Sequence, residues 1–224
     1  MTQHPAARKV VIPLMEPAGK MRALTDAVPL ELLPVGERPL LGILLDEIRG
    51  AGLAQAILIS GPERRPVEEY ARRAWPKIHV ARQETPGNLV GALQRARSFL
   101  ADEPFVLAIP TFLIRTVSPA GPMERLMKLY AQHCGHAFTA VRELAAGRCI
   151  FSTSIFTALE SGDIGPGDLP TILQAAGRTG DTIRSDMLQP GEECVIIETL
   201  ANYQNAFFEY GRPVNATCRP SEEI

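Results

Sequence analysis

Short apolar runs alternate with longer stretches of helically spaced apolar residues over the first 115 positions. Val10–Leu14 (VVIPL) predicts a buried strand. Over Pro39–Arg49, Leu40, Leu41, Leu44, Leu45 and Ile48 share one stripe, which predicts a helix closed by Gly50 and Gly52. Ala56–Ser60 (AILIS) predicts a second strand ending in the Gly61-Pro62 turn, and Val67–Trp75 a helix stopped by Pro76. Ile78–Ala81, the helix Leu89–Leu100 and the apolar strand Phe105–Ile109 complete the series.

Strand and helix alternating in this way predict an α/β fold with a doubly wound, mostly parallel sheet. Ligands of such sheets sit at the carboxyl ends of the strands. The positions of interest therefore follow Leu14, Ser60, Ala81 and Ile109. Further on, helices are expected at Met123–His133, near Ile155–Ser161, near Leu169–Ala176 and at Leu200–Tyr210. Strands are expected at Ala137–Glu143, Cys149–Ser154 and Glu193–Ile197. Residues 1–211 read as one domain and 212–224 as a polar tail.

Composition changes this picture little. The 224 residues are 46% hydrophobic and 21% charged, enough to form a core. A formal net charge of -2 argues against a broad nucleic-acid surface. The densest basic stretches, 61–65 and Arg72-Arg73, alternate with Glu63, Glu68 and Glu69 and read as a solvated helix face. Cys134, Cys149, Cys194 and Cys218 are far apart, and Cys149 and Cys194 sit in apolar runs that predict buried thiols. His133-Cys134-Gly135-His136 lacks a second ligand group at zinc-site spacing, so no metal is expected. No run is long enough to span a bilayer and no secretory signal is recognisable, so a cytoplasmic location and no membrane partner are expected.

Three blocks carry a resemblance. Segment 9–40 is KVVIPLMEPAGKMRALTDAVPLELLPVGERPL, segment 82–116 is RQETPGNLVGALQRARSFLADEPFVLAIPTFLIRT, and segment 200–211 is LANYQNAFFEYG. They resemble, in order, the opening, the second block and the C-terminal helix of bacterial UTP–glucose-1-phosphate uridylyltransferases. Pro13, Pro29, Glu31, Leu33, Pro34, Pro39, Gln83 and Pro104 are shared scaffold positions. The resemblance implies a Rossmann-like nucleotidyltransferase fold, an α/β/α sandwich.

The family reaction is attack of a sugar phosphate on the α-phosphorus of a nucleoside triphosphate. It needs a backbone cradle for phosphate, cations, and carboxylates that hold Mg²⁺. The resemblance places Met15, Glu16, Gly19 and Lys20 in the phosphate loop. Glu16 and Ala18 stand where glycines are expected, and Glu16 sets a carboxylate against a polyanion, costing on the order of 4 kcal/mol at ~4 Å. Lys20 keeps a charge but not a planar fork. The family lysine falls on Leu30, one metal carboxylate on Thr111 and the other near Ile196. Glu198, two residues on, lies on the same strand face but ~7 Å away. The Glu-Lys-Pro sugar motif is absent, and Ala137–Glu143 runs through residues 144–147 straight into Arg148.

The resemblance places Glu31 and Gln83 near the base, and the family's accompanying Gly-Leu-Gly has become Asn88-Leu89-Val90, which puts Asn88 in the nucleotide site. Glu31 reads equally well as a helix-start or loop hydrogen bond, and Gln83 as a strand-end surface residue. Val90 adds bulk beside them.

The resemblance implies a nucleotidyltransferase relative that does not carry out the family reaction and acts in regulation, assembly or ligand binding. It implies self-association or pairing with an active paralogue, weak uridine-nucleotide binding, and no cofactor. The alternative is an active divergent enzyme making a UDP-glucose-type nucleotide sugar. That enzyme would need Mg²⁺, with Lys20, Glu31 and Glu198 taking over charge and metal duties.

Overall fold

The computed structural model describes residues 7–15, 21–83, 87–116, 121–132, 138–139, 147–160, 167–178, 184–185 and 188–210. The chain begins with β1 (Lys9–Pro13), the short helix α1 (Arg22–Thr25), a 3-10 turn at Leu30–Leu32, and the small hairpin β2 (Pro34–Val35) and β3 (Arg38–Pro39). It continues through α2 (Leu40–Gly50), β4 (Gln55–Ser60), α3 (Arg65–Ala74), β5 (His79–Arg82), α4 (Leu89–Leu100), β6 (Phe105–Ala108) and β7 (Phe112–Arg115). Then come α5 (Pro122–Gln132), β8 (Phe138–Thr139), β9 (Arg148–Phe151), α6 (Ser154–Glu160) and α7 (Leu169–Arg178). The last described elements are β10 (Arg184–Ser185), β11 (Glu193–Ile196) and α8 (Leu200–Glu209).

Among the described residues seven strands form one sheet in the order β10-β8-β9-β6-β1-β4-β5. β1 pairs in parallel with β4 and β6, and β4 with β5, while β9 runs antiparallel to β6 and β8. The sheet is therefore mostly parallel over its β6-β1-β4-β5 half, as the alternation predicts.

Successive residues of a strand point to opposite faces, and the apolar strands use both. Val10, Ile12, Ala56, Leu58, Val106 and Ala108 face one core with α2, α3 and α5. Val11, Ile57, Ile59, Phe105 and Leu107 face a second core with α4, α6 and α7. In α2, Leu40, Leu41, Leu44, Leu45 and Ile48 are all buried. Each contributes about 1.5–3 kcal/mol relative to exposure. α4 begins where expected because Asn88 caps it, its Oδ1 accepting from the Gly91 N–H at 3.0 Å.

The structure corrects several expectations. Phe112–Arg115 forms β7, paired antiparallel with β11 from 78 to 84 residues away. The expected strand Cys149–Ser154 ends at Phe151, and Ser154 opens α6. Of the expected strand Ala137–Glu143, Phe138–Thr139 is β8 and the rest lies outside the described residues. The basic stretch is not wholly solvated: Arg64 and Glu68 are buried. Cys194 is half-buried, whereas Cys149 is fully buried. Cys134, Cys218, the His133–His136 segment and the tail lie outside the described residues. Among the described residues no helix is long and apolar enough to cross a membrane.

Candidate functional site

Four strand ends meet at the carboxyl edge of the parallel half-sheet. After β1, the Leu14 N–H donates to the Ile59 carbonyl at 2.9 Å, tying the start of the loop to β4. Leu14 is buried in the first core, and Met15 packs half-buried against the second. Glu16, Gly19 and Lys20 lie outside the described residues.

Leu30 and Glu31 sit in the 3-10 turn that follows. Leu30 is buried in a third core with Met21, Leu33, Val35, Leu40, Leu113, Ile197 and Ala206. Beside it the Glu31 carboxylate is 1% exposed and accepts from Arg64 Nη1 at 3.0 Å. Arg64 Nη2 donates to the Met15 carbonyl at 3.1 Å. One guanidinium thus stitches together the exit of β1, the 3-10 turn and the start of α3. Arg64 was not a sequence candidate. Its only signal was a basic residue between the β4 turn and a helix start, which reads as surface.

Gln83 and Asn88 meet at the start of α4. The Gln83 N–H donates to the Ser60 carbonyl at 2.8 Å, extending the β4–β5 ladder by one bond. Its Oε1 lies where a Cβ on Gly87 would come within 2.0 Å, so glycine there makes room for the side chain. Asn88 spends its Oδ1 on the helix cap. Gly167, with φ +67, closes against Asn88 and Val90: a Cβ there would come within 2.6 Å of Asn88 Nδ2 and 3.1 Å of Val90 Cγ2. Chain from the start of α7 therefore covers this corner.

Thr111 and Ile196 lie at the same end of one ladder, although 85 positions apart in sequence. The Thr111 carbonyl accepts from the Ile197 N–H at 2.8 Å, and Ile196 pairs with Phe112 across β7–β11. Thr111 and Ile196 are half-buried and Ile197 is buried. Glu198 is exposed in the turn before α8, and its N–H donates to the Ile196 carbonyl. The two positions that the resemblance assigns to metal carboxylates thus reach the same end of the β7–β11 ladder, one carrying a hydroxyl and the other an alkyl group, with Thr111 opposite Ile197 and Ile196 opposite Phe112.

Behind this loop lies Arg148, 2% exposed. Its Nη1 donates to the Ile109 carbonyl at 3.0 Å and its Nη2 to the Phe112 carbonyl at 3.1 Å, so it grips both ends of the turn that carries Thr111. Its charge is met by Glu47 of α2, which accepts from Nη2 at 2.8 Å and from Nε at 3.1 Å. Arg148 also escaped the sequence reading, because an arginine opening an apolar strand reads as a strand boundary. Among the described residues no three His, Cys, Asp or Glu side chains group as metal ligands. A separate cleft of about 350 Å³ lies between α2, β7 and the start of α5, and none of the candidate positions lines it.

No protein-family model matches the chain. It is 23% identical over 161 residues to a UTP–glucose-1-phosphate uridylyltransferase of Staphylococcus haemolyticus, covering 61% of this chain and 55% of that protein. It is 26% identical over 147 residues to one of Bacillus subtilis, covering 55% of this chain and 50% of that protein. The chain thus spans about half the length of the curated relatives it matches. A UTP-bound UDP-glucose pyrophosphorylase from Acinetobacter baumannii superposes with a TM-score of 0.74 at 16% identity, covering 92% of this chain and 93% of that one. A UDP-glucose pyrophosphorylase complexed with UDP-glucose gives 0.76 at 17% identity, covering 91% and 98%. These structures agree with the α/β nucleotidyltransferase fold, and the sequence matches fall on the same enzymes. In sequence and in fold the chain is similar to UTP–glucose-1-phosphate uridylyltransferases, at 23–26% identity over about half of their length.

Proposed function

We propose that this nucleotidyltransferase-fold protein does not transfer nucleotidyl groups and serves instead as a regulatory, assembly or ligand-binding relative of the uridylyltransferases. The observation that carries the reading is that Thr111 and Ile196 stand at the two positions the resemblance assigns to metal carboxylates. Mg²⁺ is a hard ion that demands charged or strongly polar oxygen ligands. Neither a neutral hydroxyl at the first position nor an alkyl chain at the second fits it. Metal assistance is worth several kcal/mol in a transition state of this kind.

Two further observations support the reading. Leu30 fills a core where the family reaction calls for a lysine. Glu31 is engaged by Arg64 rather than open to a base. An active alternative would lean on Glu198, which stands exposed at the head of α8.

The test is a calorimetric titration of UTP into the full chain, with and without Mg²⁺. The reading expects the binding heat and affinity to be indifferent to Mg²⁺. A tenfold or greater gain in UTP affinity on adding Mg²⁺, abolished by Glu198→Ala, would favour the active alternative.

A further inference from the structure

The β5 edge of the sheet is walled by cations from three elements. β5 is the last strand of its sheet and pairs only with β4 among the described residues. α3 packs on one face beside it and α4 on the other. On α3, Arg65, Glu68 and Arg72 recur at spacings of three and four and so share one stripe. The Glu68 carboxylate, 2% exposed, accepts from Arg82 of β5 through Nε at 2.9 Å and Nη2 at 2.5 Å. Arg72 Nη1 approaches the same carboxylate at 3.5 Å. From α4, Arg95 Nε donates to the Arg82 carbonyl at 3.1 Å. Two guanidiniums thus converge on one buried carboxylate, and a third, that of Arg95, sits on the backbone of the same strand. Arg72 and Arg82 remain 50% and 57% exposed, and Arg65, Lys77 and Arg95 are exposed around them.

The sequence shows the same imbalance. Residues 61–100 hold eight Lys and Arg against four Glu and no Asp, a net of +4. The whole chain is -2, so the remainder carries -6. Glu68 is spent inside the cluster, while Arg64 is met by Glu31 and Arg97 by Glu160, so the cations that face outward around β5 are Arg65, Arg72, Lys77, Arg82 and Arg95.

We propose that this edge is a docking surface for an acidic segment of a partner protein. Planar guanidinium forks suit carboxylates. Arg65 and Arg72 stand on one side of β5 and Arg95 on the other. An extended segment sends alternate side chains to opposite sides, so its neighbouring carboxylates would meet α3 and α4 in turn. Arg95 already occupies the Arg82 carbonyl, so the segment is held by its charges rather than by adding a strand to the sheet. A long nucleic acid is disfavoured. It would extend beyond the patch onto a surface of opposite balance, whereas a short segment stays within a Debye length of ~8 Å of the arginines.

The inference is independent of whether the nucleotide cleft binds or turns over anything. Its test is fluorescence anisotropy of a labelled, Glu-rich peptide with the full chain at low salt. Saturable binding is expected, with Kd raised at least about tenfold by Arg72→Gln/Arg95→Gln and unchanged by Lys128→Gln on the exposed face of α5. Both patch substitutions leave the Glu68–Arg82 pair intact, and circular dichroism checks that the fold is kept. The charge reversal Arg72→Glu/Arg95→Glu should abolish binding. Three results overturn the proposal. One is binding that survives in both double variants. Another is tighter binding of a single-stranded oligonucleotide of equal charge. The third is sedimentation showing that the edge instead holds a second copy, with a dimer lost in the double variants.

Discussion

Replacing Arg148 with methionine should destabilise the protein by about 3–5 kcal/mol. Arg148 is 2% exposed and Glu47 16%, so the pair is largely shielded from solvent. Removing one partner of a buried ion pair leaves an uncompensated charge, and that alone costs about 3–5 kcal/mol. The Gly147 carbonyl keeps a second donor, the Ile109 N–H at 2.8 Å, and should suffer little. The Ile109 and Phe112 carbonyls lose the contact that Arg148 made, which places the expected loss toward the upper end of that range. For a chain of this size the shift in Tm should be on the order of 10 °C. Equilibrium urea unfolding gives the free energy directly. The companion variant Arg148→Met/Glu47→Leu removes both charges, and should be less destabilised than Arg148→Met by at least ~1.5 kcal/mol. A loss below ~1.5 kcal/mol for Arg148→Met, or a double variant worse than the single, would mean that the Arg148–Glu47 pair is not shielded as described.

Leu30→Lys would put back the cation that the family reaction uses. Because Leu30 is buried among apolar side chains, the change should cost several kcal/mol and leave UTP affinity unimproved, as read by thermal unfolding and calorimetry. The Glu68 carboxyl is held below its ordinary value of 4.5, chiefly by the Arg82 hydrogen bond. A lowered folded pKa contributes stability that is present above the unfolded value and lost as pH falls through the folded one. Urea midpoints between pH 7 and pH 3 should therefore fall more steeply below about pH 4.5 in the parent than in Glu68→Gln, and parallel curves would contradict this. Burial pushes the Cys149 thiol up to about 12, so it should resist iodoacetamide at pH 8 in the native protein and react only on unfolding. Mass spectrometry of native and denatured samples reads this, and equal labelling would count against the packing described.

The parallel half of the fold was legible because its signals are local. Apolar strands need only their own residues, and α4 announces itself through the Asn88 cap and the Leu89, Leu93 and Ala96 stripe. β7 was hidden because Phe112–Arg115 follows β6 after only a short turn and becomes a strand only through β11. The hairpin of β2 and β3 was hidden for another reason: two residues per strand are too few for a period to register.

At the site, the resemblance selected positions that the fold brings to one end of the β7–β11 ladder, as with Thr111 and Ile196. Sequence left Glu31 open between base reading and structural bonding, because the deciding partner, Arg64, is 33 residues away. Glu68 looked solvated among alternating charges. Its burial follows from Arg82 on a neighbouring strand, which no helical periodicity can show. Arg148 and Glu47 belong to the same class: buried charges that become readable only once the strands and helices are in place.

The proposed lack of nucleotidyl transfer rests on the residues at positions 111 and 196. The most direct measurement incubates the full chain with UTP, glucose 1-phosphate and Mg²⁺ and follows both pyrophosphate release and UDP-glucose by mass spectrometry. No product above the rate without protein is expected. Formation of UDP-glucose with stoichiometric pyrophosphate at about 1 s⁻¹ or faster, the lower end of ordinary enzyme turnover, would contradict it.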